Sequence, residues 1–274
     1  MKPALPKHDL ALAEALLGPL RLASRAIMAV RARVFTVETK ADSSPVTEAD
    51  REAEEILLAA LNALAPHIPI VAEEEVALGR IPALTGGDYF LVDALDGTKE
   101  FLRGGDDFTV NVGLIRDGIP VLGLVSAPAR DRAWFGVKGC GAFALSMSAP
   151  EDRRPILVRA PPGDGIDILA SRSHRDPASN AFIARFPKAR VAAVGSSVKF
   201  CLLAEGKADL YVRLAPTSQW DIAAGDAILR AAGGRTLDLG GSLFHYAPGP
   251  GAGAEAFLNP SFVATAGIDP FPAG

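Results

Sequence analysis

Two carboxylates, Asp93 and Asp96, stand three residues apart where the apolar run 89–92 ends, directly ahead of Gly97-Thr98. Gly97 lets the chain turn sharply, and Lys99-Glu100-Phe101 opens a helical pattern at once. Such a turn gathers Asp93 and Asp96 on one side and aims the first free amides of a helix at the same place. Free amides at a helix start bind phosphate. Neighbouring carboxylates repel each other unless a cation lies between them. Oxygen ligands without Cys or His select a hard ion, Mg²⁺ first and Mn²⁺ second. Asp96 alone could serve as a helix cap. A cap leaves Asp93 without a partner, whereas a metal accounts for both.

Three further segments carry acids in telling places. Glu73-Glu74-Glu75 ends a second apolar run, 68–72. By itself a triple Glu reads as a solvated loop, but beside Asp93 it supplies the second carboxylate-tipped strand that a binuclear hard-metal centre requires. Thr47 and Asp50 have the spacing of a capping box, with Asp in place of the usual Glu or Gln. That helix start would also hold Asp50 rigidly at a site. Trp220-Asp221 opens an Ala-rich helix closed by Gly233-Gly234, where an Asp in the first turn is stabilised by the helix dipole without any further role.

Other signals fall away. There is no P-loop, no His-Glu-x-x-His and no Cys-x-x-Cys, and the four histidines make no zinc constellation. The glycines at 249, 251 and 253 imitate a dinucleotide fingerprint but lack the strand and helix that must flank one. Ser196-x-x-Lys199 spells the nucleophile motif of penicillin-binding enzymes without its companion motifs.

The elements that must position the acids are readable. Apolar spacing predicts a helix over 10–33, with a break or kink at Gly18-Pro19, and a second over the stripe Ala53, Ile56, Leu57, Ala60, Leu61 and Leu64. Strands are expected at 108–115 and 119–126 about an Asp117-Gly118 turn, with a further pair around 138–141. The Pro-, Gly- and charge-rich stretch 148–165 is the best internal boundary. Beyond it, β-like runs (166–170, 190–194, 210–212) alternate with helical ones (196–205, 220–232), suggesting a second α/β unit. The tract 248–254 reads as a surface loop.

The chain has 274 residues, 49% of them hydrophobic, enough for a large core and one to two domains. Lys and Arg number 28 against 32 Asp and Glu, and a net charge of −4 argues against coating a nucleic acid polymer. Cys140 and Cys201 fit free thiols in a reducing compartment. No run approaches the ~18 apolar residues of a membrane span, and Glu14, Arg21 and Arg25 make the N-terminal stretch an amphipathic helix, not a signal peptide. A cytoplasmic protein is expected.

Taken together, Ser44-Pro45-Val46-Thr47-Glu48-Ala49-Asp50, Glu73-Glu74, Asp93-Ala94-Leu95-Asp96-Gly97-Thr98 and Trp220-Asp221-Ile222-Ala223-Ala224-Gly225 resemble, in order, the inositol monophosphatase superfamily of lithium-sensitive, Mg²⁺-dependent phosphatases. Within it, Gly97-Thr98-Lys99-Glu100-Phe101, Ser171-Arg172-Ser173-His174, Gly195-Ser196-Ser197-Val198-Lys199-Phe200-Cys201 and Phe257-Leu258-Asn259-Pro260 resemble the 3′(2′),5′-bisphosphate nucleotidases of bacterial sulfate assimilation. One departure is Ala94, where the family usually carries Pro. It supplies no ligand, so a slightly less rigid loop and an intact site are expected.

The resemblance implies an α/β (α+β) fold, a layered α/β/α/β/α sandwich in two lobes, 1–155 and 156–274. The first would carry most metal ligands and the second Asp221 and the nucleotide contacts. Glu73, Asp93, Asp96, Asp221 and the Leu95 carbonyl would hold two or three Mg²⁺, with Mn²⁺ as a substitute. Gly97 and Thr98 would hold the phosphate through backbone amides. Asp50 and the Thr98 hydroxyl would orient or deprotonate the attacking water. Ser171, His174, Gly195 and Lys199 would contact the nucleotide. The activity implied is removal of the 3′-phosphate of adenosine 3′,5′-bisphosphate, and of its 5′-phosphosulfate analogue, by a monomer or homodimer that is free in the cytoplasm or lies against the inner membrane face. Hydrolysis of inositol 1-phosphate or fructose 1,6-bisphosphate on the same metals is the nearest alternative. A non-catalytic nucleotide-binding regulator is the alternative of another class.

Overall fold

The computed structural model describes residues 6–39, 45–85, 87–172 and 176–271. In chain order the elements are α1 (Pro6–Arg31), β1 (Val37–Thr39), β2 (Pro45–Thr47), α2 (Glu48–Leu64), β3 (Ile70–Ala72), α3 (Glu73–Ala77), β4 (Asp88–Asp96), α4 (Thr98–Leu102), β5 (Thr109–Arg116), β6 (Ile119–Ala127), β7 (Arg132–Val137), β8 (Gly141–Ser146) and β9 (Arg154–Ile156). They continue as β10 (Asp167–Ser171), α5 (Pro177–Ile183), β11 (Arg190–Val194), α6 (Val198–Ala204), β12 (Leu210–Arg213), α7 (Gln219–Ala231), β13 (Arg235–Asp238) and β14 (Phe262–Thr265).

Strands β3 to β9 form one seven-stranded sheet in sequence order, antiparallel except where β3 joins β4 in parallel. Tight connections explain the order, because Asp117 and Gly118 both take positive φ and close the expected hairpin in two residues. A five-stranded sheet follows, β11-β10-β12-β14-β13, parallel about β10 and antiparallel about β14. Helices α1 and α2 pack together on one face of the larger sheet, α6 and α7 lie between the sheets, and α5 covers the far face of the smaller one. The result is the expected α/β/α/β/α sandwich.

Three cores match these layers. Leu16, Leu20 and Ile27 of α1 meet Leu57 and Leu61 of α2 and the sheet residues Phe90, Leu122 and Phe135. On the other face, Leu91 and Trp134 share a cluster with Phe200, Trp220, Ile228 and Phe262. The third joins Phe182 and Ile183 of α5 to Ile168, Leu210 and Val263.

Helix α7 reaches the large sheet across a floor of glycine. Gly113 pairs with Gly123, and Gly123 with Gly136, so three strands present a glycine in one row. A Cβ at Gly123 would lie 2.1 Å from the Ala224 carbonyl oxygen, and one at Gly136 would lie 2.6 Å from the Ile228 Cα. Only bare backbone admits the helix this closely.

The structure departs from expectation in places. Helix α1 runs through Gly18-Pro19 as one element. Proline forfeits one intrahelical bond, but the buried residues Leu12, Leu16, Leu20, Ala23 and Ile27 continue on both sides and hold the helix together. Leu64 ends α2 exposed. Strand β9 forms inside the Pro-rich stretch 148–165 as the last strand of the large sheet. Helix α5 was not anticipated, although Asp176 caps it through the Ser179 amide at 2.8 Å and Pro177 opens it. Among the described residues, no helix is long and apolar enough to cross a membrane.

Candidate active site

Strand register places the first two acids. Ala72 of β3 pairs with Val92 of β4, so Glu73 and Asp93 leave neighbouring strands side by side. The third arrives with α7. Ser218 caps that helix, its amide donating to Asp221 Oδ2 at 2.8 Å, and Asp221 completes a capping box. Carboxylate oxygens of Glu73, Asp93 and Asp221 lie within 4.8 Å of one another. Asp221 therefore both caps a helix and faces the cluster.

After Asp93 the β4–β5 register shifts, and the Leu95 amide donates to Asp93 Oδ1 at 2.9 Å. Gly97 has φ +98°, and a Cβ there would lie 2.9 Å from the Asp107 carbonyl oxygen. The turn thus demands glycine twice over. The Thr98 hydroxyl lies 3.2 Å from both Asp50 Oδ1 and the Leu95 carbonyl oxygen. The capping box at α2 forms as expected. Asp50 Oδ2 accepts the Thr47 amide and hydroxyl, both at 2.7 Å, leaving Oδ1 facing Thr98.

Asp96 does not cap α4, which starts on Gly97. Its Oδ2 instead accepts the Ser197 amide at 2.7 Å, tying β4 to the start of α6. Lys199 Nζ donates to the Ser196 and Val194 carbonyls at 2.5 and 3.3 Å and lies 4.9 Å from the Tyr211 ring centroid. The Gly195 amide donates to Asp107 Oδ2 at 3.0 Å, and Arg172 pairs with that carboxylate at 2.9 Å.

Many of these groups border a cavity of about 650 Å³. Of the residues singled out from sequence, Glu73, Asp93, Leu95, Asp96, Gly97, Thr98, Ser171, Gly195, Lys199 and Asp221 line it. Asp50 reaches it through Thr98. Ser44 and His174 lie outside the described residues.

Electrostatics explain what the cavity wants. Burial, then the charges of Glu73, Asp96 and Asp221, push the Asp93 carboxyl well above its usual range. Asp221 is raised likewise by burial, then by Asp96 and Glu73. Asp96 is raised by burial, with Lys199 opposing. Oxygen-only donors crowded into mutual repulsion fit a hard divalent cation, whose charge would reverse each of these shifts. Lys199 is pushed down to about 8 by burial, with Asp96 opposing.

Sequence reasoning missed several supports. Glu54, one turn after Asp50, accepts the Glu74 and Glu75 amides, both at 3.1 Å, and so caps the helix that begins at Glu73. Two acids four apart on a buried helix face were the available signal. Burial pushes its carboxyl up to about 8. Arg213 lines the cavity while donating to the Ala215 and Pro216 carbonyls at 3.0 and 2.8 Å. No motif marks it.

A layered sandwich with an acid-lined cavity at its strand ends defines a class: over residues 12–266 the chain matches the family model described as inositol monophosphatase family, and it belongs to that metal-dependent family. It is similar to the 3′(2′),5′-bisphosphate nucleotidase CysQ of Salmonella typhimurium, 40% identical over 253 residues, which cover 89% of this chain and 96% of that one. Among solved structures it is similar to CysQ from Bacteroides thetaiotaomicron, described as a bacterial member of the inositol monophosphatase family, with 32% identity and a TM-score of 0.77 over 94% of this chain and 98% of that one. An IMPase of Thermotoga maritima matches with 27% identity and a TM-score of 0.72 over 92% and 90%.

Proposed function

We propose that this chain is a Mg²⁺-dependent phosphomonoesterase that removes the 3′-phosphate of adenosine 3′,5′-bisphosphate, giving AMP and phosphate, and acts likewise on the 5′-phosphosulfate analogue. The observation that carries this is the meeting of Glu73, Asp93 and Asp221 beside the Thr98–Asp50 pair in one cavity. Similarity to proteins named 3′(2′),5′-bisphosphate nucleotidase supports the choice of substrate.

Glu73, Asp93, Asp96, Asp221 and the Leu95 carbonyl would hold two or three Mg²⁺, or Mn²⁺ in their place. When bound, such ions supply charge for the phosphoryl oxygens and lower the pKa of water. The chain's own groups do the rest. Asp50, held by Thr47, leaves Oδ1 to take a proton relayed by the Thr98 hydroxyl, which is one contact away. The Gly97 and Thr98 amides, at the start of α4, would hold the phosphate oxygens, since the first amides of a helix have no acceptor within it. Ser171, Gly195 and Lys199 form the nucleotide side, to which the resemblance adds His174, and there the Lys199 ammonium meets the remaining phosphate or a ribose oxygen. The cleft would lie between the two proposed lobes, 1–155 and 156–274, whose boundary falls within β9. Free Cys140 and Cys201 support a cytoplasmic setting, with a monomer or homodimer as the working unit.

Phosphate release from adenosine 3′,5′-bisphosphate, its phosphosulfate analogue, inositol 1-phosphate and fructose 1,6-bisphosphate, each with Mg²⁺, tests the assignment. Preference for inositol or fructose phosphate overturns the substrate and leaves the metal centre standing. Tight nucleotide binding without any release points to a regulator.

Lys199 gives a pH signature. Its amine loses a proton near pH 8 in the folded protein, against about 10.4 when unperturbed. Anion binding should therefore weaken above pH 8, so KM for the bisphosphate rises there while kcat holds. In K199M that alkaline limb should vanish from the KM profile. The sign for stability is opposite: between pH 8 and about 10.4 the unfolded chain binds the extra proton, so folding gains stability as pH rises through that window. Urea titrations of both proteins across that range check it.

A further inference from the structure

Asn259 lies buried in the segment Phe257-Leu258-Asn259-Pro260 that leads into β14. Its bonds reach the residues just ahead of α7. The Asn259 amide donates to the Thr217 carbonyl at 2.8 Å, and its Nδ2 donates to Thr217 Oγ1 at 2.8 Å and to the Ser218 carbonyl at 2.6 Å. Leu258 makes an isolated bridge to Ser218 alongside.

One peptide unit is thereby gripped at both edges. Its carbonyl, from Thr217, accepts from the main-chain N–H of residue 259, and its N–H, from Ser218, donates to Asp221 Oδ2 at 2.8 Å. In a trans peptide those two groups lie on opposite edges of one plane. Whatever fixes the carbonyl direction also fixes the N–H, and the N–H fixes the carboxylate oxygen. The Asn259 side chain braces the unit from both sides, holding Thr217 Oγ1 before it and the Ser218 carbonyl after it, so the unit cannot rotate to relieve repulsion from Asp93 and Glu73.

We infer that Asn259 is a positioning residue whose side-chain amide, by bracing the Thr217–Ser218 peptide, holds the Asp221 carboxylate in place for a divalent cation. This rests on the reading of Asp221 as a metal ligand. Only an amide side chain of this length supplies two donors here. Asp has the same shape and none, and Ala has neither shape nor donors.

The test uses N259A, N259D and T217V in the full chain. Mn²⁺ binding is followed by the resonance signal of free Mn²⁺ without substrate, and kcat and KM for adenosine 3′,5′-bisphosphate are measured across Mg²⁺ concentrations. Expected is Mn²⁺ binding weakened about 10-fold in both Asn259 variants, the usual scale for residues that orient metal ligands. Half-saturating Mg²⁺ should rise by the same factor, with KM at saturating Mg²⁺ unchanged. T217V, which loses one bond of the set, should show a smaller loss in the same direction, and it decides the matter with N259D if N259A does not fold. Folded variants that keep wild-type Mn²⁺ affinity overturn the inference, even with lowered thermal midpoints. So does a wild-type protein that binds no Mn²⁺. If the wild type ignores the bisphosphate while the Mn²⁺ loss persists, the substrate assignment fails and the role of Asn259 stands.

Discussion

Replacing Asp93 by Asn is expected to cut phosphate release at least ~10³-fold, about 4 kcal/mol of transition-state stabilisation, while raising the thermal midpoint of the metal-free protein. The substitution keeps the shape, and an Asn Oδ1 still accepts the Leu95 amide that closes the turn at 2.9 Å. What changes is charge. Asp93 is buried among Glu73, Asp96 and Asp221, each of which penalises its ionised form. Removing one member relieves the others, so calorimetry in chelator should show the variant at least as stable as wild type. Adding Mg²⁺ should raise the wild-type midpoint, since a ligand that binds only the folded state stabilises it by mass action. It should barely move the variant's. Retained turnover in a folded D93N protein would count decisively against the metal-centred chemistry.

The second large effect concerns a residue with no chemistry. G123A is expected to destabilise the protein by about 3 kcal/mol, the upper range for overpacking a tight contact, and so to lower the midpoint by roughly 10 °C on the usual scaling for chains of this size. Its Cβ would stand 2.1 Å from the Ala224 carbonyl oxygen and 2.9 Å from the Ala227 Cβ, on a helix that has no side chain to swing aside there. The helix must lift, and Asp221 rides on its first turn. Weaker Mn²⁺ binding should therefore accompany the lost stability. G136A should cost less, its nearest contact being 2.6 Å, and G113A least, at 3.0 Å. Scanning calorimetry and Mn²⁺ titration of the three variants check the ranking. Equal effects at all positions would show that the helix does not bear on this row as described.

Local chemistry was the legible part. The capping box at Thr47, the Asp117-Gly118 hairpin and the turn at Gly97 each depend on residues within a few positions of one another, and all appear in the structure. Strand ends carrying Glu73 and Asp93 could be read from apolar runs that stop in acid. Three-dimensional neighbours could not. Asp221 sits beside Asp93 only because α7 is clamped between two sheets, and an Ala-rich helix buried on nearly every side offers no amphipathic face to say which sheet it meets. The glycine row is invisible until strand register is known, because its members lie ten and thirteen residues apart and signal nothing singly. Asp107 was overlooked for the same reason. Besides Arg130, its partners, the Gly195 amide and Arg172, come from the other sheet's loops. The passage of α1 through Pro19 shows the limit of a local rule against a long buried stripe.

The placement of α7 also sets an order of events during biosynthesis. The large sheet is complete once residue 156 has been made, yet the helix that covers its second face ends at residue 231. A ribosome adding about 5–20 residues per second leaves that face bare for several seconds. Glu73 and Asp93 are then already present, but the third carboxylate is still to come. Loading with cation accordingly belongs to the finished polypeptide, and a nascent chain stalled before α7 would offer chaperones an uncovered apolar trench where the mature protein has its seam.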